Sequence, residues 1–397
     1  MPFWERFQSK EASRNKLPEK PSEKSPIDAL EFSLQSFGLA LLQHVSAQAH
    51  KQNVFISPLS VFLALAMTEN GASGETKAAM RKALALPAYA SAEAVNLSAA
   101  AVIRSLLSHG EAELAIASAL WTDINSTISP DFVTVCQNIY DAGVQTIDLT
   151  HPSSAHTINA WISQKTAGKI SEIVTPNSIA GLPAILTNAL YFKGKFSIPF
   201  PKEATRPTPF HLADGREKEV PMMRISGLHH SYRSGARFEA AVLQYRQSPI
   251  ALYMLLPAKG ARPEQILTEQ SLRELQATDE SVSLDLSMPR FNIDFASSLK
   301  ESLSRQGMGI AFQSPGADFS AIGSPLFFLG DLVHKTRLEV DEAGTVAAAS
   351  TTLMVALSAM RPPRIKNRTL VFDRPFAILL RHRRTGAIIF VGVVYEP

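Results

Sequence analysis

The 397-residue sequence contains a single cysteine, Cys136, in a stretch that is predicted to be helical, so no disulfide can form within the chain. One cysteine is compatible with a reducing compartment but does not prove it. No run of eighteen apolar residues is present, so we expect no membrane span. The start, from Met1 to Lys10, lacks the apolar core of a signal peptide. The compartment therefore stays open between the cytoplasm and export by another route.

The chain also lacks an excess of charge of one sign. Its 39 Lys and Arg against 36 Asp and Glu give a net charge of only +3, which does not favour a nucleic-acid partner. Basic residues concentrate only towards the C-terminus, where we interpret them as outward residues of edge strands, with a polyanion-binding patch as the alternative. They are Arg361, Arg364, Lys366, Arg368, Arg374, Arg381, Arg383 and Arg384.

Signatures of catalysis are absent as well. No glycine-rich phosphate loop occurs, and the nearest match, residues 71–76, lacks the lysine. There is no HExxH, no GxSxG and no pair of cysteines for zinc. The adjacent His229 and His230 resemble half a metal site, but neighbouring side chains rarely point the same way. We therefore expect no enzyme activity, no cofactor and no metal.

The apolar fraction of 45% is typical of a globular chain with a sizeable core. Residues 8–26 are rich in Lys, Glu, Ser and Pro, so residues 1–26 are predicted to form a flexible tail. Helices are predicted over 27–45, 58–71, 131–140, 154–167 and 296–306, with Ser57 capping the second. Strands are predicted over 114–122 and 185–192, and short strands dominate after 205. A single domain of mixed α and β structure is expected over 27–397.

One segment has an unusual pattern. Residues 344–360 (GTVAAASTTLMVALSAM) carry no charge and no proline, and no glycine after the first residue. The odd-numbered positions form a small-to-large apolar face with nothing more polar than a hydroxyl, as in a central strand. Yet the basic and proline residues that follow, 361–364, indicate an exposed connection. The segment has the composition of a buried strand and the surroundings of a loop.

A series of motifs resembles the serpin family. The motifs occur in family order, cover the chain from about residue 27 to its end, and are specific as a set. They are NVFISPLS (53–60), NGASGET (70–76), LTNALYFKGKF (186–196) with PF (199–200), VPMM (220–223), MPRF (288–291), ADFS (317–320), VHK (333–335), EAGT (342–345), DRPF (373–376) and FVG (390–392).

The resemblance implies an α+β serpin fold with three β-sheets, about nine helices and an exposed reactive-centre loop at about 343–362. It implies a monomeric suicide-substrate inhibitor, not an enzyme, whose loop is attacked by a serine protease as bait. The cut loop, residues 345–357, would insert as a central strand of the main sheet and trap the acyl-enzyme. The native state would then be only kinetically stable. Family members are often secreted.

Counting from Glu342, the resemblance implies cleavage between Ser358 and Ala359, with Leu357 and Met360 as alternatives. Small or apolar residues there favour an elastase-, subtilisin- or chymotrypsin-like target. The hinge would comprise Glu342, Gly344, Thr345, Ala347, Ala348 and Ala349, all but the first uncharged and small, which is typical of inhibitory members. The alternative is a non-inhibitory serpin, with the same fold and a chaperone, carrier or storage role.

Other residues match family positions beneath and above the point where the sheet would open. Ser57, Ser60, Asn188 and His334 match a buried polar cluster, and Arg290 with Glu342 matches a charge pair. Phe196 stands where the family usually has tryptophan, and Val346 replaces the usual glutamate. The segment 359–372 is longer and more basic than is common, which leaves the register of the cut bond open.

Overall fold

The computed structural model describes residues 26–107, 112–228, 231–276, 282–325, 327–344, 366–383 and 385–397. Within these ranges there are nine α-helices. They are α1 Pro26–Gln48, α2 Pro58–Glu69, α3 Gly74–Ala83, α4 Ala92–Leu107, α5 Pro130–Tyr140, α6 Ser153–Lys165, α7 Pro176–Ile179, α8 Glu269–Glu274 and α9 Lys300–Leu303.

Seventeen strands are present in the same ranges. They are β1 Val54–Ile56, β2 Glu113–Asp123, β3 Thr127–Ile128, β4 Gly143–Ile147, β5 Ala184–Lys193, β6 Arg206–His211, β7 Glu217–Leu228, β8 Ser231–Ser234, β9 Phe238–Gln244, β10 Ile250–Pro257, β11 Val282–Pro289, β12 Phe291–Ser298, β13 Gly323–Ser324, β14 Asp331–Val340, β15 Lys366–Val371, β16 Phe376–His382 and β17 Ile388–Val394.

The strands form three larger sheets and one two-stranded ribbon, β13-β3. A six-stranded sheet has the order β1-β17-β16-β10-β9-β8, and a four-stranded sheet has the order β15-β11-β7-β6. The main sheet has five strands in the order β12-β14-β5-β2-β4. The mixed α+β class with three sheets, expected from the sequence, is confirmed.

The centre of the main sheet is a parallel pair. β14 runs parallel to β5, with Asp331 opposite Ile185 and Leu338 opposite Phe192. Their outer neighbours, β12 and β2, run antiparallel to them. Parallel strands cannot be joined by a tight turn, and β14 follows β5 only after 137 intervening residues, 194–330.

One face of the main sheet is buried along its length, and the other face is covered only in part. On one face, Leu186, Leu190 and Phe192 of β5 belong to the main core. On the other, alternate β5 residues pack against Ile158 and Ile162 of α6 in a second core. Alternation along a strand explains the division, because successive side chains point to opposite faces. A new strand at the centre of this sheet would therefore be buried on one face and covered on the other beside α6.

Some local predictions were wrong. The predicted helix over 296–306 begins only at Lys300, because Ala296 to Ser298 complete β12 and pair with β14. The segment after 205 also contains α8 and the short 3-10 helix Pro263–Ile266, which were not predicted.

The basic residues near the C-terminus do not all lie on edge strands. Lys366 and Arg368 are exposed on β15, an edge strand, as predicted. Arg381 is buried in β16, between β17 and β10, and its Nε donates to the carbonyl of Gly386 at 3.1 Å. The guanidinium also lies 5.8 Å from the centre of the Tyr253 ring. The prediction that Arg381 points outward from an edge strand was therefore wrong.

Candidate functional site

A row of polar residues crosses the main sheet beneath its centre. His334 of β14 is directly opposite Asn188 of β5, which is opposite Ser118 of β2. Ser57 and Ser60 reach the same row from the N-terminus of α2, where Ser57 is the helix cap and Pro58 is the first helical residue. We call these five residues the polar cluster, and all of them are buried.

Every member of the polar cluster is hydrogen-bonded to another. His334 Nε2 accepts from the Ser57 amide at 3.0 Å, so its Nδ1 carries the proton and donates to Asn188 Oδ1 at 2.7 Å. Ser60 Oγ also donates to Asn188 Oδ1, at 2.7 Å. Asn188 Nδ2 donates to Ser118 Oγ at 2.8 Å and to the Ser60 carbonyl at 3.1 Å. The side chain of Asn188 therefore joins β14, β5, β2 and α2.

The burial of His334 predicts a pH-dependent stability. Burial lowers the pKa of His334 to about 3, well below the ordinary value of 6.5. The unfolded chain therefore takes up this proton first as the pH falls. The free energy of unfolding therefore keeps its full value above about pH 6.5 and falls between pH 6.5 and pH 3. By pH 5 the protonation of this one group lowers it by about 2 kcal/mol. Denaturant unfolding at pH 7 and pH 5 measures the loss.

Two variants isolate the contribution of His334. The His334→Gln variant should lose this part of the pH dependence, whatever its stability at pH 7. The variant of an exposed histidine, His156→Gln, should retain it. Equal pH dependence in wild type and His334→Gln would show that His334 is not the titrating group.

Just past the end of β14, Glu342 is held by two side chains. Arg290 donates to Glu342 Oε1, and Thr205 Oγ1 donates to the same oxygen at 2.6 Å. Glu342 is buried, whereas the Arg290 side chain is about half exposed. Burial acts to raise the pKa of Glu342, but the hydrogen bonds from Arg290 and Thr205 outweigh it and hold the pKa below its ordinary value. The ion pair between Arg290 and Glu342 is thus partly buried and is not only a surface contact.

Beyond Glu342 the chain turns back on itself. Asp341 and Gly344 exchange two backbone hydrogen bonds, of 2.9 and 3.1 Å, which close a tight turn. Gly344 also forms an antiparallel bridge with Lys195, just beyond β5. Its φ is +116°, and a Cβ here would lie 2.7 Å from the Gly194 carbonyl oxygen. Gly344 is thus bridged on one side to the extension of β14 and on the other to the extension of β5.

The segment after β5 fastens this turn with backbone and aromatic contacts. The amide of Phe196 donates to the Ala343 carbonyl at 2.8 Å, and the amide of Phe200 donates to the Glu342 carbonyl at 2.7 Å. The Phe196 ring stacks on Tyr245, with centroids 5.2 Å apart. Phenylalanine at 196 thus supplies a buried aromatic surface at the head of β5.

The structure brings together the candidates that it describes: Ser57, Ser60, Asn188 and His334 in one cluster, and Arg290, Glu342, Gly344 and Phe196 near the turn. Thr345, Ala347, Ala348, Ala349, Leu357, Ser358, Ala359 and Met360 lie outside the described residues, as do His229 and His230.

Sequence reasoning missed Ser118, Thr205 and Tyr245. A serine between two alanines in a strand, as at Ser118, signals a polar partner, but only the pairing of β2 with β5 reveals which one.

Reactive groups are scarce elsewhere in the described ranges. Burial raises the pKa of Cys136 to about 12, so its thiol stays protonated at neutral pH. Over the same residues, no three His, Cys, Asp or Glu side chains are grouped as metal ligands would be. Among the helices that the structure describes, none combines the length and apolarity needed to cross a membrane.

Comparison with known proteins gives the family. The profile described as Serpin (serine protease inhibitor) matches residues 33–397. The bovine leukocyte elastase inhibitor is 33% identical, with 92% of this chain and 97% of that protein covered. The crystal structure of the thermophilic serpin tengpin in its native state has a TM-score of 0.80 and 26% identity, covering 100% of this chain and 99% of tengpin. Human thyroxine-binding globulin, solved in complex with thyroxine, shares the fold at a TM-score of 0.84 and 22% identity, with 94% of this chain and 99% of that protein covered. The fold is therefore the serpin fold, and the chain belongs to the serpin family.

Proposed function

We propose that this serpin is a suicide-substrate inhibitor of serine proteases and has no enzyme activity of its own. The observation that carries the proposal is the double bridging of Gly344, between the extensions of β14 and β5. A chain that turns back after β14 runs antiparallel to both strands. Its insertion would replace one parallel pairing with two antiparallel pairings, which are slightly more stable per residue.

The bridges of Gly344 define a register for insertion. Continuing the Asp341–Gly344 pairing puts Ala347 opposite Leu338, and continuing the Lys195–Gly344 pairing puts Ala347 opposite Phe192. Leu338 and Phe192 are already opposite each other in the native sheet. The two continuations therefore agree along the whole length of the strands.

In this register the odd-numbered loop residues would face the main core. Thr345 would lie beside Val340, Ala347 between Leu338 and Phe192, and Leu353 between Leu332 and Leu186, and these neighbours are almost fully buried. Thr351 would fall between His334 and Asn188, where its hydroxyl could replace the hydrogen bond lost when β14 and β5 part. No odd-numbered residue from 345 to 355 is charged. The loop sequence thus suits the space that insertion would give it.

A protease panel tests the proposal. The protein is mixed at near-equal amounts with elastase, chymotrypsin, trypsin and subtilisin, and each mixture is run on a denaturing gel. We expect a covalent complex with an elastase-, subtilisin- or chymotrypsin-like enzyme, a released peptide beginning at Ala359, and a large gain in thermal stability after cleavage. Peptides beginning at Ser358 or Arg361 would assign the bond to Leu357 or Met360 instead.

The same panel distinguishes the alternative, a non-inhibitory carrier, chaperone or storage protein with this fold. Such a protein would be cut in its loop by every protease, with no covalent complex and no gain in thermal stability. That result would overturn the inhibitory proposal. The monomeric state expected from the family can be measured on the same sample by size-exclusion chromatography with light scattering.

A further inference from the structure

A pocket of about 630 Å³ lies between the C-terminal end of α1 and the segment 262–265. Its volume is within the range of small-molecule sites. Seven of its eight lining residues have polar or charged side chains, and they come from both sides. The residues used below are Gln43, Ser46, His50, Lys51, Arg262 and Gln265. None of them belongs to the polar cluster or contacts the turn at Gly344.

The backbone at the end of α1 brings two basic residues to this pocket. The helix ends at Gln48, and the next turn is closed by a 3.0 Å bond from the Gln52 amide to the Ala49 carbonyl. His50 and Lys51 both have positive φ, 45° and 65°, which costs energy for residues other than glycine. Residues held in such conformations cluster at active sites and ligand sites, which makes this pocket wall a candidate.

The one acidic group in the lining, Glu264, is already engaged. Its Oε2 accepts from the Tyr395 hydroxyl at 2.7 Å, and its Oε1 lies 3.2 Å from Arg262 Nε. Arg262 therefore keeps its two terminal NH₂ groups for another partner. Among the residues that the structure describes, no carboxylate lies within ion-pair distance of Lys51, and Ser46 Oγ is buried without a hydrogen-bond partner. The pocket thus offers two cations and a hydroxyl to an incoming group.

We propose that this pocket binds a small organic oxyanion of sugar size, phosphorylated or carboxylated. Its anionic group pairs with Lys51 and the free edge of Arg262, since guanidinium and ammonium groups are the usual partners of such oxygens. Its hydroxyls bond to Gln43, Ser46 and Gln265. Binding to the native form stabilises that form by mass action.

Isothermal titration calorimetry on the full chain at low ionic strength tests the site. The probes are inorganic phosphate, glucose 6-phosphate, citrate and uncharged glucose. We expect glucose 6-phosphate or citrate to bind and glucose not to bind, and the preferred probe identifies phosphate or carboxylate as the anionic group. Lys51→Gln and Arg262→Gln should each weaken that binding about tenfold. Lys202→Gln, the matched change of an exposed lysine elsewhere, should not.

The site does not exist if none of the anionic probes binds in the millimolar range, or if glucose binds as tightly as glucose 6-phosphate. The same conclusion follows if the Lys51→Gln and Arg262→Gln double variant binds the anion like the wild type. A melting temperature that rises with glucose 6-phosphate in the wild type but not in the double variant supports the site independently. None of these outcomes depends on whether the protein inhibits proteases.

Discussion

Replacement of Ala347 by aspartate is expected to abolish the proposed inhibition and to leave an ordinary protease substrate. In the register set by Gly344, residue 347 would enter between Leu338 and Phe192, both fully buried. Burying an unpaired carboxylate costs several kcal/mol, and each 1.4 kcal/mol is a factor of ten in rate. Loop insertion should therefore become slower than hydrolysis of the acyl-enzyme. The stoichiometry of inhibition, measured against the protease found in the panel, should rise at least about tenfold.

The matched control is Ala348→Asp, one residue further on. Residue 348 would face the opposite side of the sheet beside Arg337, whose side chain is about one-third exposed, so a carboxylate there stays in contact with solvent. Its stoichiometry of inhibition should stay within about twofold of wild type. If both variants inhibit normally, or if Ala348→Asp fails and Ala347→Asp does not, the register is wrong.

Replacement of Asn188 by alanine is expected to destabilise the native state more than a change at any exposed asparagine. It leaves the His334 Nδ1–H and the hydroxyls of Ser60 and Ser118 without their partner in a fully buried site. Each unsatisfied buried group costs about 1–3 kcal/mol, so we expect the free energy of unfolding to fall by about 3 kcal/mol. Since the Asn188–His334 bond joins the two strands that part in the proposed mechanism, the native state should also convert to an inactive form about a hundredfold faster.

Thermal unfolding and prolonged warm incubation, followed by native gels, measure the two effects. Asn292→Ala, on the exposed face of β12, serves as the control and should behave like wild type. An Asn188→Ala protein with an unchanged melting temperature and lifetime would show that the polar cluster does not hold the sheet closed.

Features with a local cause were predictable from the sequence. The start of α2 was predictable because Ser57 and Pro58 form a local helix cap that does not depend on the rest of the chain. β5 was predictable because a mostly apolar run of ten residues, seven of them apolar, suits a strand buried on both faces. The polar cluster could be named only because its residues lie in motifs of a known family.

Features that depend on distant pairing were not predictable. Nothing local to β14 indicates that it pairs with β5, from which 137 residues separate it, or that Thr205 will reach Glu342. Arg381 was predicted to point outward because charged strand residues usually do, but β16 is covered on both faces. The helix predicted from 296 failed because small residues such as Ala296 and Ser297 fit either structure, and pairing with β14 decided between them.

The lower end of β5 sets a length for the proposed mechanism. β5 begins at Ala184, which in the proposed register is opposite Val355, so residues 356–358 would extend beyond the sheet. A protease bound covalently to Ser358 would then be joined to the sheet by a segment of roughly 10 Å. That segment is short enough to hold the protease against the end of the molecule where β5 begins. Cleavage after Met360 would add roughly 7 Å of slack. The position of the cleaved bond therefore determines which protease is bound. It also determines how closely that protease is held against the serpin.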